Sequence, residues 1–471
     1  MGMWTKDRLK RITIQCDRPE LVQYLCMAVV MAVELLYFLF EYRCYGIMLF
    51  IIERYAAVPA MIFIGAALCR KMTPEGKKQL LIGMLMLLWF FVIEVIRQSQ
   101  GQGLEKKELG TFFCAYALFL PFAALTQDGK RQWGLKMMAA LFLTVNLIQM
   151  VYTVLLLTDH VPVYLQGYVF WAGTRLWAVG HPNVCATLLM IGMAFCAGML
   201  LRVKNVWLKG LLLITIVVQF AIISLTNART TMVFACILLG GNVFCFIRGK
   251  SWKRLIALLI AALAIMVGLF AVSGRVFEAK QVRLSTPKPV VQVLEQAETQ
   301  LVQEEAQGEE AQEEAVSQQV QLSGSAQDSW SKDLRSLNGR TQIWSSALKG
   351  LREYPQICLI GTDSVDSIIS QFNPFYVEHS HNSWVEVLYQ FGLPGLAIAL
   401  LLTFMAVRGA LIQLWRNTDL WKSCISLLTL CLMGCAMLEP YLFTGDIFYH
   451  FFNFLFLLCV GYLELWRKEK E

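Results

Sequence analysis

Side chains that handle anions and protons crowd one polar stretch of the sequence, from Asn338 to Trp384. Arg340 falls in Asn338-Gly339-Arg340-Thr341-Gln342-Ile343-Trp344, ahead of Glu353-Tyr354-Pro355 and Leu359-Ile360-Gly361-Thr362-Asp363. His379 and His381, two of the five histidines, close the stretch in His379-Ser380-His381-Asn382-Ser383-Trp384. Ile343, Trp344, Ala347, Leu348 and Leu351 follow Arg340 at helical spacing, with Asn338 as a cap and Pro355 as a stop, so the pattern predicts an amphipathic helix. Arg340 then lies in the first turn, where the helix dipole disfavours a cation. A phosphate would reverse that preference, because free amides at a helix start and a bidentate guanidinium bind it together. A surface arginine paired with Asp333 or a lipid headgroup is the plainer alternative. An imidazole titrating near neutrality can take a proton from an attacking hydroxyl. His381 and His379 both offer one, and a solvated or capping histidine is the plainer reading of either.

A second arginine stands out in Leu225-Thr226-Asn227-Ala228-Arg229-Thr230-Thr231, a short turn between two apolar runs. A lone cation there either faces an interior cavity or anion, or snorkels to headgroups.

The elements that must position these residues are membrane helices. With 57% hydrophobic and 16% charged residues over 471 positions, the chain would expose more apolar surface than water tolerates. Apolar runs of spanning length occur at roughly 21 to 40, 45 to 68, 79 to 97, 110 to 126, 134 to 157, 184 to 201, 206 to 225, 230 to 247, 255 to 274, 386 to 407, 422 to 438 and 446 to 465, which predicts an all-α polytopic protein of about twelve spans. The fourteen cysteines lie mostly inside these runs without a CxxC, and Cys431 and Cys435, one turn apart, suit packing better than redox work.

Alternate connections are basic: Arg70, Lys71, Lys77 and Lys78; Lys130 and Arg131; Arg202 and Lys204; Arg248, Lys250, Lys253 and Arg254; Arg408 and Arg416; Arg467, Lys468 and Lys470. The positive-inside rule then puts both termini in the cytoplasm, and residues 1 to 20, with Lys6, Arg8, Lys10, Arg11 and Arg18, read as a cytoplasmic tail before a signal anchor. The net charge of +7 is read as topology and not as nucleic-acid binding. This divides the chain into an N-terminal membrane region (1–274, about nine spans), an extracytoplasmic loop (275–383) and a C-terminal membrane region (384–471, about three spans). Within the loop, residues 289–327 carry Glu304-Glu305, Glu309-Glu310 and Glu313-Glu314 without Lys or Arg, an acidic insert that lacks core residues, while 338–383 is the part suited to chemistry.

Arg229 in its short turn, Gly339-Arg340-Thr341-Gln342-Ile343-Trp344, Pro355, Gly361, and His381-Asn382 followed by Gly392 and Gly395 resemble the O-antigen ligase and O-antigen polymerase superfamily; Gly180-His181-Pro182-Asn183 is similar to the family's Pro-Asn segment. The resemblance covers about Trp177 to Leu400 by motif. It implies a GT-C-like bacterial membrane glycosyltransferase that moves a glycan from a polyprenyl (undecaprenyl) diphosphate carrier to an acceptor hydroxyl in cell-surface polysaccharide synthesis, in the plasma membrane and without cofactor or metal. On that analogy Arg229 and Arg340 hold the diphosphate and His381 activates the acceptor, with His379, Asn382, Trp344 and His181 as supporting residues. Two guanidiniums can neutralise a departing diphosphate, and no Asp-x-Asp occurs in the chain.

The turn Asn227-Ala228-Arg229-Thr230 departs from the Ser-Arg-Gly more common in the family, and the acidic insert is unusual. Glu34, Glu53-Arg54 and Glu94 lie inside predicted spans and could line a channel, which keeps a lipid-linked oligosaccharide flippase or other transporter open. A peptidoglycan-polymerase-like scaffold, relying on Asp363 or Asp366, is a third class. Sugar identity, and ligase against polymerase, are not written in these motifs.

Overall fold

A computed structural model describes residues 18–40, 57–70, 72–99, 114–162, 170–172, 175–177, 181–200, 202–247, 339–362, 364–373, 377, 379–416, 419–443 and 449–468. The predicted span at 255–274, the acidic insert, Glu53-Arg54, Asp333, Asn338 and Asp363 lie outside the described residues.

Apolar runs became helices almost where their hydropathy placed them. They are α1 (Arg18–Phe40), α2 (Ala57–Leu68), α3 (Pro74–Ser99), α4 (Phe122–Leu125), α5 (Trp133–Leu157), α6 (Pro182–Leu200), α7 (Val206–Leu225) and α8 (Arg229–Ile247). After the outer segment come α12 (Ser383–Arg416), α13 (Leu420–Ala436) and α14 (His450–Lys468). Among the described residues six helices are long and apolar enough to cross a membrane, namely α3, α5, α6, α7, α8 and α12, while α2 and α13 are shorter apolar helices. The chain is a polytopic helical membrane protein.

Burial sorts these helices. In α6, 83% of the apolar window is buried, against 28–33% in the other five, so α6 is the most enclosed of the six and the others show lipid a face. It packs on α5, α7, α8 and α13. The run predicted as a span at 110–126 is instead a π-helical turn, Ala115–Phe119, followed by the short α4, all of it buried. Pro121 explains the break: it has no N–H for the carbonyl of Ala117 and its ring crowds that turn. A two-stranded hairpin, β1 (Phe170–Ala172) antiparallel to β2 (Arg175–Trp177), precedes α6.

The segment between α8 and α12, predicted to lie outside the membrane and for that reason termed outer, has its own small core. The predicted amphipathic helix exists as α9 (Arg340–Glu353), its N-cap position taken by Gly339 at φ 76°, with α10 (Ile357–Ile360) and α11 (Val365–Gln371) after it. Ala347, Ile357, Val365, Ile369, Val377 and Tyr389 form this core, so the outer face of α12 is part of it. α12 itself is broken at Gly392 (φ 66°, ψ −171°), two residues before Pro394, within what the apolar run alone predicts as one span.

Candidate active site

α6 and α8 begin, α12 begins and α13 ends at one end of the bundle, and α9 opens beside them. Glu439, in the turn after α13, is where their polar groups converge. It is 4% exposed. Arg340 Nη2 donates to its Oε1 at 2.5 Å, Asn183 Nδ2 to the same oxygen at 2.7 Å, and His381 Nδ1 lies 3.3 Å from Oε2. Burial alone would raise the Glu439 carboxyl, but the hydrogen bond from His381 and the charges of His381, Arg340 and His379 outweigh it and hold the group below its usual value.

Each residue of the cluster is fixed by its own element. Gly339 in the left-handed region lets α9 start abruptly, its carbonyl accepting from Gln342 and Ile343 N–H at 2.9 and 3.1 Å, so Arg340 projects from the first turn. Arg340 is 8% exposed. The histidine turn is built on α12: Asn382 Oδ1 caps the helix by accepting from Trp384 and Val385 N–H at 3.0 and 3.1 Å, and its Nδ2 donates to Met437 O at 3.0 Å. Ser383 Oγ donates to Glu439 O at 3.0 Å and accepts from Leu442 N at 3.0 Å, which ties the Glu439 turn to the same helix start. His381 sits at φ 50°, a left-handed conformation that a non-glycine residue adopts only when its surroundings impose it. Those surroundings are Ser380 N–H donating to Glu386 Oε2 at 2.9 Å and Trp344 Nε1 donating to Ser380 O at 3.1 Å.

Because a carboxylate only accepts, His381 donates to Glu439 from Nδ1, which leaves Nε2 as the acceptor nitrogen of the neutral ring. Its side chain is 29% exposed, against 6% for that of Glu439. His379 packs against His381 with the rings tilted by 44° and their centroids 4.2 Å apart, and burial, then this neighbouring imidazole, push the His379 imidazole down from 6.5 to about 4. His379 is therefore neutral at physiological pH. His181 belongs to the electrostatic surroundings of His379 and accepts from Asn183 N–H at 3.3 Å.

The geometry thus draws together Arg340, His379, His381, Asn382, Trp344 and His181. Arg229 opens α8 and joins less directly: Thr231, in the same turn, lies 3.1 Å from Thr187, whose hydroxyl is 3.3 Å from Tyr441 Oη, two residues beyond Glu439. Sequence reasoning missed Glu439 and Asn183. Glu439 had a signal, a carboxylate at the edge of an apolar run in a loop without basic residues. The ligand atoms of His379, His381 and Glu439 lie within 4.8 Å of one another, a spacing that a metal could span. The Arg340 guanidinium already neutralises that carboxylate at 2.5 Å, and a divalent ion would stand beside a fixed positive charge, so the cluster fits a metal poorly.

The opposite end of the bundle is basic. Arg202 pairs with Asp419 at 2.9 Å, Arg416 Nη1 donates to Arg467 O at 2.7 Å, Lys422 lies 5.0 Å over the Trp466 ring, and Lys468 pairs with Glu75.

Residues 214–400, from within α7 through the first half of α12, match the O-antigen ligase family, and this stretch contains Arg229, Arg340, His379, His381 and the outer core. That stretch is similar to the O-antigen ligase family. The similarity suggests a glycosyl-transferring membrane enzyme. The ligase domain ends before Glu439, so the carboxylate that joins Arg340 to His381 comes from outside the matched stretch. No curated protein matches the chain.

Proposed function

We propose that this protein transfers a glycan from a polyprenyl diphosphate carrier to an acceptor hydroxyl, by a metal-independent GT-C-like mechanism, at the extracytoplasmic face of a bacterial plasma membrane. The observation that carries this reading is one buried carboxylate, Glu439, shared between the guanidinium of Arg340 and the imidazole of His381.

In this mechanism the acceptor hydroxyl gives its proton to His381 Nε2 while its oxygen attacks the anomeric carbon. The bond from that carbon to the diphosphate oxygen breaks, and polyprenyl diphosphate leaves with the electron pair. Arg340, assisted by Arg229 from α8, faces the charge that develops on the leaving group, a role that fixed cations fill best in a water-poor site. Glu439 orients His381 and stabilises the imidazolium as it forms, and it holds Arg340 ready before the donor binds. Neutral His379 lines the acceptor side.

Sidedness supports the same reading. The basic end, with Arg202, Arg416, Lys422, Arg467 and Lys468, is the cytoplasmic one by the positive-inside rule, so Arg340, His381 and Glu439 face out. The basic residues of alternate connections, with both termini read as inside, fit that orientation. The transporter reading is less well supported, because Glu34 pairs with His450 at 3.4 Å and Glu94 accepts from Gln98 Nε2 at 2.6 Å.

The test is to supply the purified protein, in lipid and with a chelator, with a polyprenyl-diphosphate oligosaccharide and identify the products. A ladder of lengthened lipid-linked chains identifies a polymerase and transfer to a separate acceptor a ligase. Activity that depends on added metal, or movement of intact donor across the bilayer without transfer, contradicts the proposal.

A further inference from the structure

The break in α12 is closed from another helix. Pro394 has no N–H for the carbonyl of Gln390, four residues earlier, and the turn at Gly392 takes the neighbouring carbonyls out of helical register. Three donors satisfy them: Thr362 N–H gives to Tyr389 O at 2.6 Å, Arg97 Nη2 to Gln390 O at 2.5 Å, and Trp89 Nε1 to Phe391 O at 2.8 Å. The same Arg97 nitrogen donates to Ile360 O, at the end of α10, at 3.2 Å. Arg97 is 1% exposed, near the end of α3, where a guanidinium is costly unless it has partners of this kind.

Backbone meets backbone at this junction. Gly361 (φ 69°) and Gly392 (φ 66°) face each other's chains so closely that a Cβ on Gly361 would stand 2.4 Å from Gln390 O, and one on Gly392 would stand 2.4 Å from Leu359 O. With no room for side chains between them, the two segments are held by Thr362 and by the single guanidinium that bridges Ile360 and Gln390. From there the connection runs to the site. α10 shares the outer core with α9, and Tyr389 Oη, next to Gln390, donates to Ala347 O at 2.5 Å in the middle of α9. The first residue of α9 is Arg340.

We infer that Arg97 is a positioning residue for transfer: by fastening α10 to the break in α12, it sets the outer subdomain, and so Arg340, over the bundle end that carries Glu439 and Asn183. This rests on the role of Arg340 given above. The test uses the full-length protein in nanodiscs, comparing Arg97→Gln, Arg97→Leu and Arg97→Lys by turnover per folded molecule and by amide exchange. Arg97→Gln and Arg97→Leu are expected to lower turnover about tenfold or more. Peptides covering 340–353 and 357–362 should exchange faster while those of α6 and α13 stay protected. Arg97→Lys, which keeps a charged donor, should recover most of the turnover. Turnover of Arg97→Gln within about twofold of wild type, or exchange rising uniformly with activity tracking only the amount of folded protein, overturns the inference. Arg340→Ala, run in the same assay, separates the two readings. If it keeps full turnover, the diphosphate role falls, while the exchange at 340–362 still judges the clamp.

Discussion

Among the described residues, two buried carboxylates each meet an imidazole at nearly the same distance. Glu439 and His381 meet at 3.3 Å, Glu34 of α1 and His450 of α14 at 3.4 Å. What differs is everything around them. His381 is 29% exposed, on a left-handed turn, with Arg340 on the other oxygen of its carboxylate. His450 is 1% exposed, inside the bundle, with Phe454 one turn on and 5.9 Å between ring centroids. A base needs a partner that orients it and a route for the molecule it deprotonates; the first pair has both, the second only the partner. The pair alone therefore says little about catalysis, and access with a neighbouring cation says much more.

That contrast can be broken most severely at the first pair. His381→Ala should lower transfer by roughly 10²–10⁴-fold with the protein still inserted and folded, measured as product per folded molecule. Glu439→Gln should cost a comparable factor, because it leaves Arg340 buried without its counter-charge and His381 without an orienting acceptor. The second pair should behave in the opposite way. Glu34→Gln and His450→Ala should lower the melting temperature in detergent, since breaking a buried pair costs about 3–5 kcal/mol, yet leave turnover of the surviving folded protein within about threefold of wild type. An equal catalytic loss at both pairs would erase the distinction.

Acidification sharpens it further. The His379 imidazole is held at about 4 in the folded protein against 6.5 ordinarily, so between those values the unfolded chain binds more protons and folding stability falls as pH drops. Stability from this group is fully present above 6.5 and is lost towards pH 4, and Glu439, held low, adds loss at the acid end of the same window. Melting curves from pH 7.5 to 4.5 should show that slope, and His379→Gln should flatten it. The smallest expected effect is at Trp344→Phe, which removes one hydrogen bond to Ser380 O, about 1 kcal/mol, and should slow transfer about fivefold through the histidine turn.

Much of the helical framework was legible because hydrophobic length is a local property. The run at 79–97 is α3, the run at 206–225 is α7 to the residue, and the helix predicted with Asn338 as its cap and Arg340 in its first turn begins at Arg340. The breaks were harder. Pro121 and Pro394 are visible in the sequence, but whether a proline ends a membrane helix depends on which distant groups take the freed carbonyls, and Arg97 and Trp89 lie some three hundred residues from theirs. The site followed the same rule. Arg340 and the histidines were singled out by residue type and given roles by the family resemblance, whereas Glu439 became meaningful only when folding brought it across 99 positions to Arg340 and 58 to His381.

We propose that Glu439 couples a diphosphate-binding guanidinium to a catalytic imidazole. Single-turnover release of polyprenyl diphosphate from a labelled lipid-linked donor, by wild type and Glu439→Gln in the presence of chelator, tests it most directly. Rapid release by the wild type and release slowed at least about a hundredfold by the variant, with donor still bound, is the expected result. Release at the wild-type rate by Glu439→Gln would contradict the account.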